Sequence, residues 1–371
     1  MINRNQHFVS KHYLRQFRIG ETDTIWITKV NPLKMIGAGG IKGQCQDVYF
    51  YGRGDSKLDQ MLKEIEDHVA PVLIKIASER TWNEEALPAI RMLAVELYLR
   101  TRKAAEAGKV SPRFFADRVI CGAIAKGELP EPKGGWKADM MDFGGVPDVL
   151  LAQTFSLFLE TGTLGFKLLE APAGKFLITS DNPVVALNQY AAEAKAIREF
   201  VGFAQSGFQL LVPLSPQVIG FFYDPKVYKV GKARDRLVTL SAADTDLINS
   251  LQVQSAEHCV YSNDPSTAAE VQRLVTRYAK LRVPLTEGLQ IFKGLNPDEE
   301  LVLSRHPTLT IPGRWLFCAY RRHISKAVGE RRDPLLTRMI EEYEEDIRQN
   351  PNGDDIAERL KRITAKISVS D

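Results

Sequence analysis

Two spacings of apolar residues divide the chain. Between residues 56 and 80, Leu58, Met61, Leu62, Ile65, Val69, Leu73 and Ile76 recur every three or four positions. That period predicts a helix lying on a core, with Pro71 as the place where it kinks or divides. Asn83 with Glu84 and Glu85 then starts a second helix, which Ile90, Leu93, Ala94, Leu97 and Tyr98 carry past Arg100 and Arg102. Residues 111–126 form a weaker helical stretch, Pro130, Pro132, Gly134 and Gly135 mark a loop, and 146–160 form a more apolar helix. After Gly162 the texture changes to short strand-like runs at 164–169, 176–179, 184–187, 208–212 and 218–223. Their close spacing suits an antiparallel meander rather than alternating βαβ units. Helices follow at 244–256 and 268–281, separated by a strand at Cys259–Ser262.

At the N-terminus, Tyr13, Leu14 and Phe17 after a Ser10 N-cap predict a short buried helix, and Thr24, Ile25, Trp26, Ile27 and Thr28 predict a strand. The fold expected from this order is α+β, a helical layer packed on an antiparallel sheet. Residues 1–282 are expected to form the core domain, and 283–371 a mixed, mostly helical C-terminal extension.

Composition changes this picture little. The 371 residues are 44% hydrophobic and 26% charged, close to globular averages, which excludes wholesale disorder. A net charge of +3, from 49 basic and 46 acidic residues, does not by itself imply nucleic-acid binding. Cys45, Cys121, Cys259 and Cys318 are far apart and form no C-x-x-C pair. There is no signal-peptide core and no apolar run near the roughly 20 residues that span a bilayer. The expectation is a reduced, cytoplasmic protein without membrane insertion. No H-E-x-x-H motif is present, so no metal site is expected, and no cofactor or oligomeric state is assigned.

The candidate chemistry centres on residues 175–185, where an apolar run stops on Ser180, Asp181, Asn182 and Pro183 before resuming. It reads as a buried strand ending in a polar corner, because Ser, Asp and Asn bond nearby amides and Pro183 keeps Asn182 extended. With His7, Glu66, Arg100 and Asn249 on otherwise apolar elements, this corner makes a candidate cluster. One reading is a hydrolase acting on a phosphate-containing or nucleic-acid substrate. His7 and Asp181 would then take the acid/base roles, while Arg15, Arg100, Asn182 and Asn249 bind substrate. The other reading is a non-catalytic binding or regulatory module whose polar cluster is structural, since buried charges must be paired in any fold. A second candidate surface is the segment 314–332, where Arg321, Arg322, Lys326, Arg331 and Arg332 mix with aromatics in the manner of a nucleic-acid-binding patch. The alternative is a helical face whose arginines cover apolar surface.

Several separated pieces also fit one known pattern in order. They are Gln6-His7-Phe8-Val9 with Tyr13-Leu14-Arg15 and Phe17, then Ile65-Glu66, then Phe176 to Pro183, then Pro213-Leu214-Ser215-Pro216, and finally Asn249 with Ala256 and Val260-Tyr261-Ser262. In these the chain resembles the bacterial, archaeal and fungal family called domain of unknown function 4238, over residues 5–265. Ser10 departs from the family, which tends to have proline there. The resemblance implies that these polar residues belong to one unit, and it implies no activity.

Overall fold

The computed structural model describes residues 4–51, 56–137, 146–194, 202–282, 289–293, 300–304, 309, 311, 313, 315–324, 328–349 and 362. The N-terminal part contains β1 (Asn5–His7), α1 (Lys11–Leu14), the hairpin β2 (Thr24–Val30) and β3 (Leu33–Gly40), and β4 (Gln46–Val48). Four helices follow, α2 (Ser56–Glu79), α3 (Leu87–Leu99), α4 (Arg102–Ala125) and α5 (Val146–Gly162). Next come β5 (Gly165–Glu170), β6 (Thr179–Ser180), β7 (Val185–Leu187), α6 (Gln189–Glu193), β8 (Gln209–Pro213), β9 (Val218–Tyr223), β10 (Tyr228–Val230) and β11 (Leu237–Thr239). The chain ends with α7 (Ala242–Ser255), β12 (Cys259–Ser262), α8 (Ala268–Tyr278), β13 (Leu289–Lys293), β14 (Glu300–Ser304), β15 (Cys318–Tyr320) and α9 (Pro334–Gln349). The class is α+β, as the sequence pattern predicts.

The strands do not join into one meander. A five-stranded sheet runs β11-β5-β9-β8-β7, and a separate four-stranded sheet runs β3-β2-β12-β6. In the first, β5, β9, β8 and β7 are antiparallel neighbours and β11 joins β5 in parallel. Its central strands are buried on both faces, which explains why Val218–Tyr223 reads as a continuous apolar run. One face, with Phe166, Leu168, Leu210, Val212 and Phe222, packs on Val69, Leu73, Ile90, Leu93 and Leu97 of α2 and α3. The other, with Leu169, Leu211, Ile219 and Phe221, packs on Ile248 and Leu251 of α7 and on Trp315 and Phe317. Pro71 does not divide α2, which continues through it.

The break between α3 and α4 falls at Arg100 and Thr101, where the long second helix predicted from sequence is interrupted. Arg100 caps α3, while Thr101 takes an extended conformation (φ −67°, ψ 155°) and its hydroxyl accepts from Ala104 N at 3.1 Å. The C-terminal part is tied to the preceding residues. β15 pairs with β10, Trp315, Phe317 and Cys318 enter the same cluster as the five-stranded sheet, and Tyr343 of α9 meets Phe155 of α5 at 4.5 Å between ring centroids. Residues 315–320 thus share a core with residues before 282. No described helix is long and apolar enough to cross a membrane.

Candidate functional site

The polar corner 180–183 is where the chain leaves one sheet for the other: Thr179–Ser180 belong to the four-stranded sheet and Val185–Leu187 to the five-stranded one. A chain crossing between sheets loses its ladder partners, so its backbone groups need side-chain partners instead. Helix α7 supplies them from one face. Asn249 accepts from Ile178 N at 3.0 Å and donates to Phe176 O at 2.8 Å. Gln252 accepts from the Ser180 hydroxyl at 3.1 Å and donates to Pro183 O at 2.7 Å. The Ser255 hydroxyl donates to Asn182 O at 2.9 Å and accepts from Asn182 Nδ2 at 2.8 Å. These three residues stand three apart, the spacing that aligns side chains on one helical face.

Asp181 closes the corner from the opposite direction. Its carboxylate accepts from the backbone amides of Glu257, His258 and Cys259 at 2.8, 2.7 and 3.1 Å, and its own amide donates to Cys259 O. The residue is 5% exposed. Burial pushes its carboxyl above the ordinary aspartate value, against the opposing pull of the three amides. Both oxygens are therefore engaged by the turn that opens β12.

A second polar group surrounds Arg100, also buried. Its Nε donates to the Tyr51 hydroxyl at 2.8 Å, Nη1 to Glu66 at 2.8 Å and to Glu96, and Nη2 to the backbone carbonyl of His7 at 2.8 Å. The Tyr51 hydroxyl donates to the same His7 carbonyl at 2.9 Å. Burial pushes the Glu96 carboxyl up to about 7, a rise that Arg100 opposes and Glu66 adds to. Burial alone would lower the Arg100 pKa, but Tyr51, Glu96 and Glu66 outweigh it and keep the guanidinium charged. His7 is half-buried, and its imidazole is held below the ordinary value by burial and by Lys11. Its Nδ1 is buried without a hydrogen-bond partner.

Among the described residues, no hydrogen bond joins Asp181 to the group around Arg100. Arg100 meets the carbonyl of His7, not its imidazole, while Asp181 bonds the 257–259 turn. The Arg100 guanidinium is tied within the protein by Glu66, Glu96, Tyr51 and His7 O. Asn182 and Asn249 likewise bond neighbouring chain. Arg15 is half-buried and pairs with Asp23 at 2.9 Å. Tyr51 and Glu96 escaped the sequence reading. The signal for Glu96 is its place four residues before Arg100 inside an otherwise apolar helix.

In the basic segment, Arg321, Arg322 and Arg331 are exposed, and Arg331 lies 4.0 Å from Glu341. Lys326 and Arg314 lie outside the described residues. Arg332 departs from the expectation of a surface cation: it is 1% exposed and donates to Thr163 Oγ1 at 2.6 Å, Glu160 O at 2.7 Å and Gln205 O at 3.2 Å. Trp315 and Phe317 are buried in the core, so those rings are not presented for stacking on bases. Among the described residues, no group of three or more His, Cys, Asp or Glu side chains is arranged to hold a metal ion.

No curated protein and no solved structure matches the chain. A family model described as "Protein of unknown function (DUF4238)" matches residues 5–118 and 154–266, which include β1, Glu66, Arg100, the 180–183 corner and the face of α7 that fastens it. The chain belongs to that family.

Proposed function

We propose that this protein is a non-catalytic binding or regulatory module whose polar cluster serves the fold. The observation that carries the reading is Asp181, buried with both carboxylate oxygens taken by the amides of residues 257–259. A carboxylate so engaged is poorly placed to take a proton from a substrate, because a general base must reach the proton that it abstracts. The four cysteines are unbridged, which favours a reducing compartment such as the cytoplasm. The test compares wild type, His7→Ala and Asp181→Asn for folding stability and for turnover of a phosphomonoester and of single-stranded DNA. The module reading expects no turnover by wild type and a loss of stability in Asp181→Asn.

A second reading, a hydrolase acting on a phosphate-containing or nucleic-acid substrate, is favoured by one observation at His7. Its unpartnered Nδ1 and lowered pKa suit a neutral imidazole base, and Glu66 and Glu96 stand around the same arginine. On this reading Glu66 replaces Asp181 as the acidic neighbour of His7, and exposed Arg321, Arg322 and Arg331 contact the nucleic acid. Wild-type turnover that disappears in His7→Ala at unchanged stability would establish it in place of the module.

A further inference from the structure

We propose that Cys45 and Cys259, which pack in one cluster with Tyr261, form an oxidation-sensitive pair that a hydroperoxide closes into a disulfide. Cys45 Sγ lies 3.3 Å from Tyr261 Oη, and Cys259 packs against the cluster that contains both side chains. Cys259 and Tyr261 are two apart on β12, so both side chains point to the same face of the sheet. Cys45 reaches them from the turn before β4, where its backbone is held in the left-handed region at φ 49°. Its carbonyl accepts from Phe8 N, next to His7, while the Cys259 amide donates to Asp181. A bond between the two sulfurs would fasten the N-terminal arm to the turn that holds Asp181.

Cys259 is half-buried and Cys45 buried, so a small oxidant reaches Cys259 first. The Cys259 thiolate attacks one peroxide oxygen, the O–O bond breaks, and a sulfenic acid forms with release of water after protonation. The Cys45 thiolate then attacks that sulfur, the S–S bond forms and the S–O bond breaks, releasing a second water. Two thiols lose two electrons and two protons, and hydrogen peroxide is reduced to two waters.

Burial pushes the Cys259 thiol up to about 11 and also raises that of Cys45. Because the thiolate is the nucleophile, closure is slow at neutral pH and speeds up by about tenfold per pH unit. A poor leaving-group thiolate also slows reopening by small thiols, so the pair acts as a lock under sustained oxidation rather than a rapid sensor.

The test treats the full-length protein with hydrogen peroxide at pH 7 and pH 9, followed by non-reducing peptide mapping. The expected product is a peptide pair joining Cys45 to Cys259 with loss of two hydrogens, formed faster at pH 9. It should be absent in Cys259→Ser and accompanied by a Tm several degrees higher, since the bond closes a long loop. Tyr261→Phe, which removes the hydroxyl that holds the Cys45 thiol, should close faster than wild type. Cys121, exposed, serves as the oxidation control. Complete oxidation of Cys121 with no Cys45–Cys259 peptide at either pH overturns the proposal, as does a cross-link to any other cysteine. If Cys259→Ser fails to fold, the wild-type peptide map with Tyr261→Phe decides alone.

Discussion

Replacing Asn249 with alanine removes one side chain that satisfies two backbone groups. Asn249 is 1% exposed, accepts from Ile178 N at 3.0 Å and donates to Phe176 O at 2.8 Å. Neither group has a strand neighbour to fall back on, because β6 begins only at Thr179. A buried donor or acceptor left without a partner costs about 1–3 kcal/mol, so Asn249→Ala, which orphans two, is expected to destabilise by about 2–6 kcal/mol. Asn249→Asp keeps the acceptor for Ile178 but loses the donor to Phe176 O and buries a charge, so it should be at least as damaging. Urea unfolding followed by circular dichroism measures both, with an unchanged m-value indicating that the native state is otherwise intact. A loss below about 1 kcal/mol for Asn249→Ala would refute the claim that this residue substitutes for a missing strand partner.

Two further outcomes follow from the buried charges. Glu96 has a folded pKa raised from 4.5 to about 7, so its contribution to stability is fully present below pH 4.5 and is lost as pH rises through 7, by on the order of 3 kcal/mol. The stability of wild type relative to Glu96→Gln should therefore fall across that window in unfolding titrations, and a flat difference would contradict it. Arg332→Met should destabilise by about 3–5 kcal/mol, because it removes the guanidinium that lies 3.5 Å from the Glu160 carboxylate and leaves that charge buried without its cation. Adding Glu160→Gln should recover part of that loss in the same assay, whereas no recovery would place the effect elsewhere.

Much of the architecture was legible because long amphipathic periods constrain it. The repeats from Leu58 to Ile76 and from Ile90 to Tyr98 announce α2 and α3, and the apolar runs at 164–169, 208–212 and 218–223 announce β5, β8 and β9. The division into two sheets was not legible. Residues 176–179 have strand composition, but only Thr179 lies on a strand, since the partner of Phe176 and Ile178 is a side chain of α7 rather than a neighbouring strand. The start of α4 depended on one threonine cap, a weak signal beside the helical spacing around it. Burial of Arg332 beside exposed Arg331 left no trace in sequence, because it depends on Glu160, Thr163 and Gln205 far along the chain. For the candidate site, residue types and the polar corner were readable, whereas which partner each side chain takes is a long-range property. His7 and Asp181 share a sequence texture but bond different elements.

The engagement of Asp181 is tested most directly by native-state amide hydrogen exchange at Glu257, His258 and Cys259. Their amides donate to its carboxylate in a buried corner, so all three should be strongly protected in wild type. In Asp181→Ala, provided that it folds, protection should drop at these three positions before it drops in β9. Rapid exchange of all three in folded wild type would mean that the carboxylate is free, and would contradict a structural role for the corner.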